Sequence, residues 1–343
     1  MSKKPQIAVV GATGVIGQEL LAAIASAGHP SDSITALASE RSAGRELEFG
    51  DEMIEVEAAT EESFRGVALA YFATPAEVSK TLAKAAQAAG SWAVDLSSAF
   101  RLEEGVPLVL PAVNLALLRG PIRGRIVSCP SAITTALVTA LEPLRVQFGL
   151  ERAFATAMLG VSSSGTLGLD ELQRQTADML SGREPEVVRF PHRIGFNVIP
   201  QVGDFSRSAE WSTEELSWGE EAARIWSAPQ SPAVVGTAFQ VPTFYGHLLS
   251  VEVELTAAPG VEAVREAFKS SANLKVLDAP IERVYPMPML ATGDPTVHVG
   301  RVRELRGWRR GFTFVVAVDN ARRGGALNAI EIGQALLGRE ELH

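Results

Sequence analysis

The chain has 343 residues and a single cysteine, Cys129. That count excludes a disulfide framework and a cysteine-based zinc cluster, so no metal site is expected, and it fits a reducing compartment. No apolar run approaches the roughly 20 residues needed to span a bilayer, which argues against a membrane partner. Positive charge is in deficit, with a net charge of −9, and this opposes nucleic-acid binding. The start, Met1-Ser-Lys-Lys-Pro-Gln6, has no signal-peptide apolar core. Internal repeats, low-complexity tracts and long linkers are also missing. The exclusions leave a cytoplasmic globular protein. With hydrophobic residues at 46% and charged residues at 21%, the composition is ordinary for that class, and the length favours two domains.

The first half alternates apolar strands with helical patterns. Gln6-Ile-Ala-Val-Val10 is a continuous apolar run, as a central parallel strand should be. It enters Gly11-Ala-Thr-Gly-Val-Ile-Gly17, followed by residues at helical period. Glycines between a strand and a helix let the backbone approach a pyrophosphate seated on the helix N-terminus. Either this is a dinucleotide-binding loop or it is a plain strand–helix turn. A second strand, Ser33–Ala38, leads to Ser39-Glu-Arg-Ser42. An arginine here accommodates a 2′-phosphate and an acidic residue bonds the free ribose hydroxyl, so Arg41 with Ser39 and Ser42 favours NADP, and Glu40 argues for NAD. Further strands are expected at Val67–Phe72 and Ser91–Asp95, with a helix from Pro75 to Ala89 capped by Thr74. The fold class expected is α/β, a doubly wound Rossmann-type sheet.

Ile126–Leu137 reads as a short strand, a polar corner with Cys129, and the start of a long helix reaching Phe148. A thiol at a helix N-terminus is activated by the local positive potential, whereas a lone cysteine elsewhere is a small buried hydrophobe. Arg101, beside Ser97 and Ser98, is either an anion clamp or an isolated surface arginine. Later segments predict a strand at Ala153–Val161, a glycine-serine loop, and a helix at Leu167–Leu180. Another helix should run from Ser212 to Trp226 with Thr213 as cap. Strands Val234–Val241 and Leu248–Leu255 are expected to pair with each other, followed by a helix at Glu262–Ser271, a strand at Phe312–Val318 and a last apolar helix at Gly325–Leu337. This gives a dinucleotide domain, residues 1–130 plus 320–343, with an α+β domain, residues 131–319, inserted in it.

These motifs together resemble the aspartate-semialdehyde dehydrogenases over nearly the full length. The resemblance rests on the glycine loop, Ala38-Ser-x-Arg-Ser-Ala-Gly44, Asp95-Leu-Ser-Ser-Ala-Phe-Arg101, Val106-Pro-Leu-Val-x-Pro-x-Val-Asn114, Phe196-Asn197 with Ile199-Pro-Gln201, Gly246-His247, Val299-Gly-Arg-Val-Arg303 and Asp319-Asn-x-Arg-x-Gly-x-Ala-Leu-Asn-Ala329. It implies NADP held by Gly11, Thr13, Gly14, Val15, Ile16, Gly17, Ser39, Arg41, Ser42 and Asn320, a homodimer built on the second domain, and a small anionic substrate. In the family reaction a cysteine thiolate attacks the aldehyde, hydride passes to NADP, and phosphate releases an acyl phosphate from the thioester. By this resemblance His247 is the general base, Arg101, Asn114 and Arg224 bind phosphate, and Glu221 binds substrate.

Three family positions differ. The carboxylate-binding arginine, seven residues before the histidine, is Gln240, and the glutamine that orients the thioester is Leu159. Anchoring on Pro130 and Leu141-Glu-Pro-Leu144 without a gap puts Ala132 in the place of the nucleophile. Aligning Cys129 there instead needs three extra residues in a helix, a rotation of about 60° of its apolar face. The chain therefore looks like the Usg-type paralogues, which keep the fold without the catalytic cysteine in register. The expected function is NADP binding with the phosphorylating activity lost or altered. The alternatives are an active NADP-dependent aspartate-semialdehyde dehydrogenase of amino-acid biosynthesis using Cys129, and a non-catalytic regulatory partner.

Overall fold

A computed structural model describes residues 4–205, 210–227 and 231–340. The first three residues, where no leader was expected, lie outside the described set. The chain forms two compact units, Met1–Ser131 with Gly325–His343, and Ala132–Gly324.

The first unit is built on a seven-stranded sheet. Its strands are β1 (Ile7–Val10), β2 (Ile34–Ala38), β3 (Glu46–Phe49), β4 (Glu52–Ala58), β5 (Leu69–Phe72), β6 (Trp92–Asp95) and β7 (Ile126–Ser128), in the order β3-β4-β2-β1-β5-β6-β7. All neighbours run parallel except β3 against β4. Every residue of β1 and β5 is buried, because helices cover both faces of a parallel sheet. Those helices are α1 (Val15–Ser26), α2 (Ala76–Ala88), the short α3 (Pro111–Asn114) and the C-terminal helix Leu327–Glu340. The last of these packs Ala329, Ile332 and Leu336 into the same core as Val9, Tyr71 and Val94. A Cβ on Gly333 would lie 2.1 Å from the Tyr71 hydroxyl oxygen, so a bare glycine is what allows that approach. The β3–β4 hairpin has no counterpart in the sequence reading. Pro75, not Thr74, is the cap of α2; the Thr74 hydroxyl instead bonds that of Ser79 at 2.8 Å.

The second unit holds α4 (Ala132–Phe148), β8 (Leu150–Leu159), α5 (Gly165–Leu180), α6 (Thr213–Trp226), β9 (Ala233–Gln240), β10 (His247–Leu255), α7 (Val261–Lys269), β11 (Leu274–Val276), the one-turn α8 (Pro288–Ala291), β12 (Val297–Glu304) and β13 (Gly311–Val318). Its six-stranded sheet has the order β11-β12-β13-β10-β8-β9. The expected pairing of β9 with β10 is thus corrected, since β8 lies between them, parallel to β9 and antiparallel to β10. The connection Val241–Gly246 steps over the end of β8, where Val241 N–H donates to the Leu159 carbonyl at 2.9 Å. In β10 buried residues alternate with half-buried ones, the pattern of a sheet with one face packed on helices. The cap of α6 is Ser212 rather than Thr213, with Ser212 and Glu215 forming a reciprocal capping box.

Candidate functional site

The glycine loop leaves the C-terminal end of β1, between β2 and β5, at the point where strand order reverses. Ligands of open α/β sheets bind at such a point. Gly11 has φ 86°, and a Cβ there would come 2.3 Å from the Ala73 carbonyl oxygen. One on Gly17 would come 2.1 Å from the Gly11 oxygen. The tight turn thus demands both glycines. The N-cap Gly14 has an ordinary φ of −82°, and a Cβ there would press on the Gly11 carbonyl oxygen at 3.3 Å. Thr13, Val15 and Ile16 complete the turn and the first helical residues, whose N–H groups have no intrahelical acceptor. The loop fits a pyrophosphate. Ser39 and Arg41 are exposed and Ser42 half-buried in the turn after β2, next to the loop whose Gly11 and Ala12 N–H groups donate to Leu37.

At the end of β6, the Asp95 carboxylate accepts from the hydroxyl of Ser97 at 2.9 Å and from its N–H at 3.3 Å. Burial pushes the Asp95 pKa up, against these hydrogen bonds, one from Ser79 and the Arg101 charge. Arg101 donates to the carbonyls of Cys129 at 3.1 Å and Leu96 at 2.9 Å, tying the loop to the strand end. The Asn114 side chain accepts from Leu110 N–H at 2.8 Å and donates to the Leu108 carbonyl at 3.0 Å. Arg101 and Asn114, two of the three expected phosphate ligands, thus each brace backbone. Cys129 is 1% exposed and packs in the core with Tyr71, Val94 and Val127. Burial drives its thiol pKa upward, the Asp95 charge adds to this, and Arg101 opposes it. Of the two readings of this cysteine, activated thiol or small buried hydrophobe, the structure has the second: the sulfur belongs to the core, where burial disfavours the thiolate.

In the second unit several expected residues do converge. Gln240, Leu159 and His247 lie in one row across β9, β8 and β10, so their side chains share a face. His247 is 1% exposed and its Nδ1 accepts the Gly160 N–H at 3.2 Å. Burial lowers its pKa to about 4, while the Gly246 backbone and Asp319 pull the other way. Gln240 donates to the Leu159 carbonyl at 2.7 Å and accepts from the Ser163 hydroxyl at 3.5 Å. His247 pairs with Val318, the last residue of β13. Beyond it, Asn320 Oδ1 accepts from Ser162 at 2.9 Å and from Gly246 N–H at 3.1 Å. This places the expected cofactor residue Asn320 among the loops flanking His247. The following turn brings Gly324 against Ala132, the first residue of α4, where an added Cβ on Gly324 would meet the Ala132 methyl at 2.8 Å.

Glu221 and Arg224 do not join this group. Glu215 of α6 accepts from Ala238 N–H at 3.0 Å, a Cβ on Gly219 would lie 2.8 Å from the Val234 oxygen, and Trp226 donates to Glu142 of α4 at 2.8 Å. The helix therefore runs antiparallel to β9. Glu221, which is buried, and Arg224, half-buried, lie toward the start of that strand, away from Gln240 at its end.

Asp319 was missed as a site residue. Its carboxylate accepts from Ala321 N–H at 3.0 Å, Arg322 N–H at 2.9 Å and Gly293 N–H at 2.8 Å, fixing the turn between His247 and Ala132. An Asp-Asn pair after an apolar strand is a turn signal that could have found it.

Residues 6–120 match the family model described as semialdehyde dehydrogenase, NAD binding domain, and residues 141–323 match semialdehyde dehydrogenase, dimerisation domain. The chain is 34% identical over 344 residues to the aspartate-semialdehyde dehydrogenase of Bacillus subtilis, covering 98% of each. It is 33% identical over 334 residues to that of Aquifex aeolicus, covering 97% of this chain and 98% of the relative. The crystal structure of aspartate-semialdehyde dehydrogenase II from Vibrio cholerae, complexed with ASA, superposes with a TM-score of 0.93 at 32% identity, over 98% of this chain and 99% of that one.

Proposed function

The chain belongs to the aspartate-semialdehyde dehydrogenase family, and we propose that it binds NADP and a small anionic ligand with the phosphorylating reaction lost or altered, in the manner of the Usg-type paralogues. One observation carries this reading: the only thiol of the protein is packed in the first unit's core, 1% exposed, with its pKa raised by burial. The resemblance puts Ala132 in the nucleophile's place, and a methyl group forms no thioester.

The residues around it agree. With Nδ1 accepting the Gly160 N–H, a neutral His247 carries its proton on Nε2, which makes that nitrogen a hydrogen-bond donor. Gln240 is neutral where the family has a cation, and it is bonded to Leu159. NADP, rather than NAD, is favoured by Arg41 in the turn beside the glycine loop. A homodimer through the second unit is supported by the match to a dimerisation domain.

A second reading, an active aspartate-semialdehyde dehydrogenase, is favoured by the names of relatives that are 33–34% identical over almost the whole chain. Intact-mass spectrometry separates the two. After incubation with aspartate semialdehyde and NADP without phosphate, the protein is expected to keep its unmodified mass. An acyl adduct on Cys129 would overturn the proposal in favour of the dehydrogenase.

A further inference from the structure

The sequence divides its charge unevenly. Residues 45–62, the β3–β4 hairpin with its flanks, carry eight acidic side chains and one basic. Residues 301–310, at the turn from β12 to β13, carry five arginines and one glutamate. The acidic stretch borders a groove of about 820 Å³ between α1 and β3, the edge strand of the first unit's sheet. Ala22, Ala25, Leu47 and Met53 give the groove an apolar lining, and Glu46 and Glu48 add carboxylates to it. Met53 is 53% exposed. Charge on an edge strand is by itself a guard against stray strand pairing. That role needs no apolar groove behind the charge, and apolar surface rimmed by charge marks a contact site.

The turn from β12 to β13 has the opposite character. Leu305 N–H donates to the Gly311 carbonyl at 2.9 Å and Trp308 N–H to the Leu305 carbonyl at 3.1 Å, which closes residues 305–311 into a compact loop. Trp308 stays 45% exposed, with its ring edge-on to Phe154 at 6.5 Å. Arg310 is held by Glu151 at 2.9 Å and Glu254 at 3.4 Å. Arg306 and Arg309, on either side of the tryptophan, are exposed and pair with no carboxylate among the described residues. An exposed indole between two uncommitted guanidinium groups is the composition of an interface hot spot.

We infer that this loop docks into the α1–β3 groove of a second copy of the chain, with Trp308 against the apolar lining and Arg306 and Arg309 facing Glu46 and Glu48. Both halves of the contact are present in one sequence, opposite in sign and matched in kind, an apolar groove for an indole. A nucleic acid would instead meet a chain whose net charge is −9. Each copy carries the loop in its second unit and the groove in its first, so the contact is head-to-tail and continues beyond a two-fold dimer. The inference stands apart from the functional reading, since neither surface includes a residue assigned there to cofactor or ligand.

Sedimentation velocity of the full-length protein tests it over a concentration series at about 50 mM and about 500 mM salt, since contacts between exposed charges weaken as the screening length shortens. At the lower salt, species larger than those at the higher salt are expected to grow with concentration. Trp308→Ala should weaken this association about tenfold or more. Arg306→Glu with Arg309→Glu should abolish it, and so should Glu46→Lys with Glu48→Lys. Mixing the two double variants should restore it, because the second keeps the native loop and the first the native groove. Each pair of reversals shifts the net charge of −9 by four, so both variants stay negative and bulk attraction does not explain a rescue. All five side chains are exposed, and thermal melting verifies that the variants fold. The inference is overturned by the same size distribution at both salts, by association unchanged in either double variant, or by a mixture no more associated than its parts.

Discussion

The N–H of Gly160 donates to Nδ1 of His247 at 3.2 Å, inside a site where the imidazole is 1% exposed. Both facts favour the neutral ring, and burial lowers its pKa to about 4 from an ordinary 6.5. A depressed folded-state pKa means that the unfolded chain takes up the proton first. Stability from this residue is therefore complete above pH 6.5 and declines as pH falls toward 4, by about 3 kcal/mol in total. Urea unfolding of wild type and His247→Gln between pH 7.5 and 4.5 measures it. The variant should show a flatter pH dependence across that window.

Cys129 should be chemically silent in the native protein. Burial and the neighbouring Asp95 charge raise its pKa, so Ellman's reagent should react at least about a hundredfold more slowly than with the urea-unfolded chain. Cys129→Ser puts a hydroxyl among Tyr71, Val94 and Val127 and should cost about 1–3 kcal/mol.

Gly17→Ala should damage both folding and cofactor binding, because the new methyl would sit 2.1 Å from the Gly11 carbonyl oxygen. A loss of about 2 kcal/mol or more is expected, seen as a lower melting temperature that NADP no longer raises. Arg41→Ala, in contrast, should fold normally and lose about tenfold in NADP affinity with NAD unaffected. Titration with both dinucleotides checks this.

Asp319 accepts three backbone N–H groups in the turn between His247 and Ala132. Asp319→Ala leaves those donors without their carboxylate and should cost about 2–4 kcal/mol, with Asp319→Asn intermediate. Denaturant midpoints of the two variants check the ranking.

The parts legible from sequence were those with a local cause. The apolar run Ile7–Val10, the glycines after it and the helical period from Val15 specify a strand–loop–helix unit without help from the rest of the chain. The placement of β8 between β9 and β10 was not legible, because Val234–Val241 and Leu248–Leu255 look like neighbours in any hairpin and the partner lies far earlier in the chain. The polar contacts of Arg101 and Asn114 were equally hidden: residue type suggests an anion ligand, and only the fold shows carbonyls of Leu96, Leu108 and Cys129 within reach. Glu221 and Arg224 were misplaced for the same reason, since the direction of α6 along β9 is a tertiary property. Ala132 was legible in the opposite sense. An alanine has no chemistry of its own to draw notice, and only the resemblance, anchored on Pro130 and Leu141–Leu144, puts it in the nucleophile's place; the fold then sets the helix that starts there beside the Asp319 turn.

The most direct measurement is the rate of NADPH formation, followed at 340 nm, by purified protein given aspartate semialdehyde, NADP and phosphate. With the thiol in the core and an alanine at the start of α4, the expected rate is indistinguishable from the enzyme-free background. Phosphate-dependent turnover that disappears in Cys129→Ser would contradict this account and make Cys129 the nucleophile.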